Sequence, residues 1–146
     1  MHLTRKTLYA LRAVHELARR QAGEPVPAAD IARAQGVPVR FLETILHELR
    51  QAGFVTSRRG SRGGYQLARR PGALTVSEVM AFTQGPGGVT GADDGEAPHP
   101  SGDPFRPLWR QVSEAVAGVL DATTFRDVLN WEEERAAREA PLSYVI

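Results

Sequence analysis

Over residues 4–20 the apolar side chains Leu8, Leu11, Val14, Leu17 and Ala18 recur at three- and four-residue spacing, with Thr4 placed to cap. This predicts an amphipathic helix ending near Gly23. After Pro25 a short helix is expected over residues 28–35, closed by Gly36, which can adopt the left-handed conformation. Pro38 suits the first turn of the next helix, residues 39–52. Its Leu42, Ile45, Leu46 and Leu49 stand at i, i+3, i+4 and i+7 and define one buried stripe before Gly53 ends it.

The period then changes. Phe54-Val55-Thr56 and Tyr65-Gln66-Leu67 are short β-prone runs on either side of residues 57–64, which hold three arginines and three glycines. A hairpin with a basic, flexible tip is expected. Thr75 and Glu78 have capping-box spacing, and Val76, Val79, Met80 and Phe82 give the following helix its apolar face. Ten of the twenty residues from 85 to 104 are Gly or Pro, so that stretch reads as a flexible loop unable to build a core. Pro107 then opens a helix of about four turns carrying Leu108, Trp109, Val112, Val116, Val119 and Leu120. A shorter helix begins at Thr124, with Asp127 at capping-box distance and Phe125, Val128 and Leu129 as apolar positions. From Trp131 the chain reads as an acidic arm, open to helix as far as Glu139.

Helix, helix, tight turn, helix and basic hairpin is the order of a winged helix-turn-helix. Ile31, Ala32, Gly36, Val37, Leu42 and Ile45 fall at the spacing the motif needs: a small residue where two helices cross, a glycine at the turn and apolar residues locking the pair. The expected fold is mainly α, a winged helix-turn-helix with a two-stranded wing over residues 1–84. A loop over 85–104, a long helix with its short follower over 105–130 and an acidic arm over 131–146 complete the chain. The long helix has a wide apolar face that needs a cover, either its own domain or a second copy.

Charge sharpens this picture. The net charge of +1 sums 18 basic and 17 acidic residues, but the first 73 residues hold 13 Lys/Arg against 5 Asp/Glu, a surplus of 8, and the rest hold 5 against 12. The winged part is therefore basic and the remainder acidic.

If Leu42, Ile45, Leu46 and Leu49 point inward, Arg40, Glu43, Thr44 and His47 project outward from the helix, together with Val39 at its start. These polar groups can meet base edges and phosphates: Arg a guanine acceptor, Glu a cytosine amino group, Thr either, His an acceptor. A solvated face is the plainer reading of the row alone. The adjacent hairpin shifts the balance, because Arg58, Arg59 and Arg62 sit among Gly60, Ser61, Gly63 and Gly64, where the backbone can approach phosphates and arginine can enter a narrow minor groove. Tyr65 closes this segment. Thr4, Arg5 and Lys6 stand at a helix start, where unpaired N–H groups favour a phosphate; an exposed start is the equally simple reading. The partner these residues point to is double-stranded DNA.

Other classes lack support. There is no P-loop, no Gly-x-Ser-x-Gly elbow and no paired metal-ligand motif, and the four histidines His2, His15, His47 and His99 are scattered, so no catalytic site is assigned. No apolar run is long enough to span a membrane or serve as a secretory signal, which predicts a cytoplasmic protein. Cysteine is absent, excluding disulfides, thiolate nucleophiles and all-thiolate metal sites. A winged-helix adaptor docking an acidic protein is the alternative function, separable by the salt dependence of DNA binding.

Leu3-Thr4-Arg5-Lys6 leading into Tyr9-Ala10-Leu11, Phe41-Leu42-Glu43 opening the third helix and Leu49-Arg50-Gln51-Ala52-Gly53 closing it, together with the wing sequence from Arg59 to Leu67, resemble the Rrf-type regulators, a family of bacterial transcription factors. The likeness covers residues 1–82 closely and the region of Trp109 more loosely. It implies a homodimer on a roughly palindromic operator, with repression the expected mode. The helix after the loop would cross its counterpart, giving Leu108, Trp109, Val112, Val116, Val119 and Leu120 the dimer contact.

Cluster-bearing members of that family place three cysteines in the loop; here there are none. Asp93, Asp94, Glu96, His99 and Asp103 supply oxygen and nitrogen, but iron–sulfur clusters are held by thiolates with at most limited histidine substitution, so no cofactor and no metal are assigned. The signal is left open among three sources: a small molecule walled by Phe105 and Trp109, an unidentified protein partner on the acidic half, or simple abundance.

Overall fold

The structure, a computed structural model, describes residues 2–20, 23–85 and 101–141. Asp93, Asp94, Glu96 and His99, most of the 85–104 loop and the end of the acidic arm from Leu142 lie outside the described residues. The elements follow the expected order: α1 (Arg5–Arg19), α2 (Ala28–Gln35), α3 (Val39–Gln51), β1 (Val55–Arg58), β2 (Gly64–Leu67), a 3-10 turn (Pro71–Ala73), α4 (Val76–Gln84), α5 (Arg106–Ala122) and α6 (Phe125–Glu139). The fold is mainly helical, with one two-stranded antiparallel sheet.

α1 starts where Thr4 accepts a hydrogen bond from the Thr7 backbone N–H, 3.1 Å away. It ends at Arg19, earlier than the Gly23 expected from the pattern, with the Arg20 N–H still bonded to the Glu16 carbonyl. Of the expected stripe Val14, Leu17 and Ala18 are buried, but the buried face is turned toward the alanines. Ala10, Ala13, Val14 and Leu17 are buried, whereas Leu11 is half-buried and Leu8 exposed. Small alanines let α2, α3 and α4 approach α1 closely, and that proximity, rather than side-chain size, selects the inner face.

Gly36 closes α2 in the left-handed region at φ +64. Pro38 occupies the N-cap of α3, one place before the first turn in which the sequence put it. The α3 stripe is as expected, with Leu42, Ile45, Leu46 and Leu49 all buried in the one core. Phe125 and Leu129 of α6 join that core, so the C-terminal part is packed onto the winged domain.

The capping boxes at Thr75–Glu78 and Thr124–Asp127 are both formed, and they stand together through a bridge between Thr75 and Thr124. The segment read as a short helix followed by an arm is one continuous helix: α6 passes through Trp131 to Glu139, so the boundary at 130/131 falls inside it. Its middle is held on α1, where Glu132 meets His15 Nε2 at 3.0 Å and Arg19 Nη1 at 3.2 Å. α5 differs from every other helix described, because none of its residues is buried.

Candidate nucleic-acid interface

α3 presents Val39, Arg40, Glu43, Thr44 and His47 to solvent, as its inward stripe requires. Thr44 donates its hydroxyl to the Arg40 carbonyl one turn back, at 3.3 Å. Arg40, Glu43 and His47 have no side-chain partner among the described residues. Glu43 forms no ion pair with Arg40 or His47.

The wing is joined to the end of α3 and to Val26 by several contacts. Arg50 at the end of α3 donates to the Ser57 hydroxyl at 3.1 Å, tying helix to strand. The β1–β2 register is Val55↔Leu67, Thr56↔Gln66, Ser57↔Tyr65 and Arg58↔Gly64. Pairing therefore extends beyond the β-prone runs and shortens the tip to residues 59–63, because two backbone ladders that have begun to pair satisfy further N–H and C=O groups at little cost. Arg58 is a strand residue; Arg59, Gly60, Ser61 and Arg62 form the exposed tip.

Gly63 and Gly64 have structural reasons to be glycine. A Cβ on Gly63 would lie 2.3 Å from the Arg58 carbonyl oxygen, and one on Gly64 would lie 2.3 Å from the Val26 carbonyl carbon, with the Gly64 φ at +153. Tyr65 exchanges both backbone hydrogen bonds with Val26, at 2.8 and 2.9 Å, and its side chain is half-buried. Gly63, Gly64 and Tyr65 thus anchor the wing, while the three arginines Arg58, Arg59 and Arg62 are exposed and lack a side-chain partner among the described residues. Behind the wing Arg69 lies over the Phe54 ring and donates to Glu78 at 3.0 Å. The Thr75 backbone N–H lowers the Glu78 pKa most; Arg69 adds to this, and together they outweigh a smaller opposing effect of burial.

At the start of α1 the three candidates separate. Thr4 is committed to its cap, Lys6 pairs with Glu48 of α3 at 2.6 Å, and Arg5 is exposed without a partner among the described residues. Two residues not singled out from the pattern matter here. Glu16 is a fully buried carboxylate that accepts from Arg20 Nε and from Gln35 Nε2, both at 2.7 Å, with Arg19 at 3.5 Å. Burial pushes this carboxyl up, but the hydrogen bonds of Gln35 and Arg20 and the two guanidinium charges outweigh it and hold the pKa below the ordinary value. Since Gln35 ends α2 beside Gly36, Glu16 fixes the turn between the two motif helices. The second is Phe41, 59% exposed at the first turn of α3.

α5 leaves Leu108, Trp109, Val112 and Val119 exposed, Trp109 by 54% and Val119 by 66%, with Val116 and Leu120 half-covered. Phe105 and Trp109 stack at a tilt, ring centroids 6.5 Å apart. A cavity of about 580 Å³ opens elsewhere, between α1 and α6, lined by Ala18, Arg19, Leu129 and Glu132; the two aromatics do not wall it.

A family model, Rrf2, described as an iron-dependent transcriptional regulator, matches residues 3–131 of this chain. The chain belongs to the Rrf2 family. Among its Rrf2 relatives is the HTH-type transcriptional regulator IscR of Klebsiella pneumoniae, 34% identical over 142 residues that cover 91% of this chain and 82% of that protein. The structure of CymR, the global cysteine regulator of B. subtilis, superposes with a TM-score of 0.77 at 30% identity, covering 90% of this chain and 98% of that one. IscR of T. potens superposes at 0.78 with 28% identity, covering 99% and 95%. The winged-helix fold of this Rrf2 member is therefore that of known transcriptional regulators. The family description names iron, yet this chain has no cysteine, and its side chains do not fit a cluster held by thiolates. Among the described residues no group of three or more His, Asp or Glu could hold a metal ion, and no helix is long and apolar enough to cross a membrane.

Proposed function

We propose that this Rrf2 protein is a cytoplasmic, sequence-specific DNA-binding repressor that acts as a homodimer on a roughly palindromic operator, without an iron–sulfur cluster. The observation that carries the reading is partnerless charge on two joined elements: Arg40, Glu43 and His47 exposed on α3, and Arg58, Arg59 and Arg62 exposed on the wing that Arg50 and Ser57 tie to the end of that helix. Lys6, Arg19, Arg20 and Arg69, by contrast, are paired with carboxylates of the chain's own fold. A helix entering the major groove with its amino-terminal residues on base edges, and arginines flanking it on phosphates, makes use of the unpaired charges.

The dimer follows from the exposed apolar side of α5, which a second α5 across a two-fold axis would cover. Two-fold symmetry matches two half-sites about one helical turn apart. Repression is the proposed mode, in which a dimer occupying such a site excludes other proteins from it. With thiolates absent, the input is an effector of unidentified chemistry, a protein docked on the acidic half, or the abundance of the repressor itself. Selection of bound duplexes from a random pool by the full chain tests the reading: enrichment of a two-fold symmetric sequence supports it, and enrichment of no sequence contradicts it.

A further inference from the structure

Phe41 fits neither the buried nor the polar face of α3. Its ring lies in edge contact with Tyr9 of α1, centroids 6.4 Å apart and planes at 63°, while Tyr9 itself packs against the core. One side of the ring is braced and the other is open. Along the helix Phe41 follows Arg40 and lies one turn before Thr44, so its open edge borders the polar row.

A partner for this edge must suit both an apolar ring and the partnerless cations beside it. A second copy docked here about a two-fold axis would bring the adjacent Arg40 against its own counterpart. Duplex DNA satisfies both demands, because the thymine 5-methyl is the apolar group that base edges offer in the major groove, set within a frame of phosphates. We propose that Phe41, with Tyr9 as its positioning residue, reads the 5-methyl of one thymine in each half-site. The inference rests on the DNA-binding function proposed above and adds a specificity residue to it.

The test takes the duplex enriched by the full chain and replaces each thymine in turn with deoxyuridine, which removes only the methyl group. The unchanged protein is expected to lose about fourfold in affinity at one position per half-site, the worth of one buried methyl. Phe41→Ala should bind the thymine and deoxyuridine duplexes equally at that position. If it loses its fold, Phe41→Leu replaces it, with a penalty smaller than that of the unchanged protein. An equal penalty in both proteins assigns the methyl to another side chain, and no penalty at any thymine removes the contact; either overturns the inference and leaves DNA binding standing. Failure to enrich any duplex overturns the functional reading, and this inference with it.

Discussion

Arg59 sits at the wing tip with its charge unspent on the fold, so its removal is expected to disturb binding and leave stability alone. Arg59→Ala should weaken binding to all duplexes and lower the slope of log affinity against log salt by about one, with the melting temperature unchanged. Glu43 is different, because an exposed carboxylate among phosphates gains nothing except by accepting from a base. Glu43→Ala should change which sequences are enriched in a selection more than the affinity for any one of them; an unchanged preference would remove it from the reading set. Gly64 tests the opposite role. Gly64→Ala forces a Cβ into the Val26 backbone and should lower unfolding stability by about 1–3 kcal/mol in urea titrations. The outward row of α3 was legible in the sequence because four large apolar residues fix the inner face and the 3.6-residue period fixes the rest. Glu16 and Phe41 were not, since each breaks the rule that periodicity relies on: a charge stands inside and an aromatic ring outside.

α6 shows where element-level reading stops. Its capping box, Thr124 with Asp127, announced the start and Glu139 its furthest reach, but with only Phe125 and Leu129 buried no apolar stripe separates helix from arm after Trp131. The wing was legible as a hairpin, whereas its register depended on Tyr65 pairing with Val26, a contact that no local pattern encodes. Thr124→Ala should cost about 1 kcal/mol of stability through the lost cap, measured by chemical denaturation. The contacts of Glu16 and Glu78 make stability depend on acid. Both carboxyls have native pKa values below the ordinary glutamate 4.5, so the unfolded chain binds protons first and stability falls as pH drops through the native values. Melting temperatures should therefore decline below about pH 4.5, and Glu16→Gln should flatten that decline. An unchanged profile would show that Glu16 is not held as an anion.

Charge and exposed apolar surface are divided between the two parts of the chain. The basic surplus of 8 in the first 73 residues belongs to the winged part, and the exposed apolar helix belongs to the acidic remainder. Neither is explained by one copy alone in water. Val112→Asp combined with Val119→Asp places charge in the proposed α5 contact, and light scattering should then report one chain mass in place of two, with operator affinity lost and the winged domain still folded. The absence of cysteine bears on the whole chain too: protein purified without oxygen should carry no iron–sulfur absorbance, and chelators should leave its DNA affinity unchanged. The measurement that decides whether the basic part serves DNA is the affinity of the full chain for duplex DNA across salt. A dimer neutralising ~6–10 phosphates should lose ~10³–10⁵ in affinity between about 50 and 200 mM salt. No retention on duplex DNA at low salt would contradict the account and return the chain to the winged-helix adaptor that docks an acidic protein.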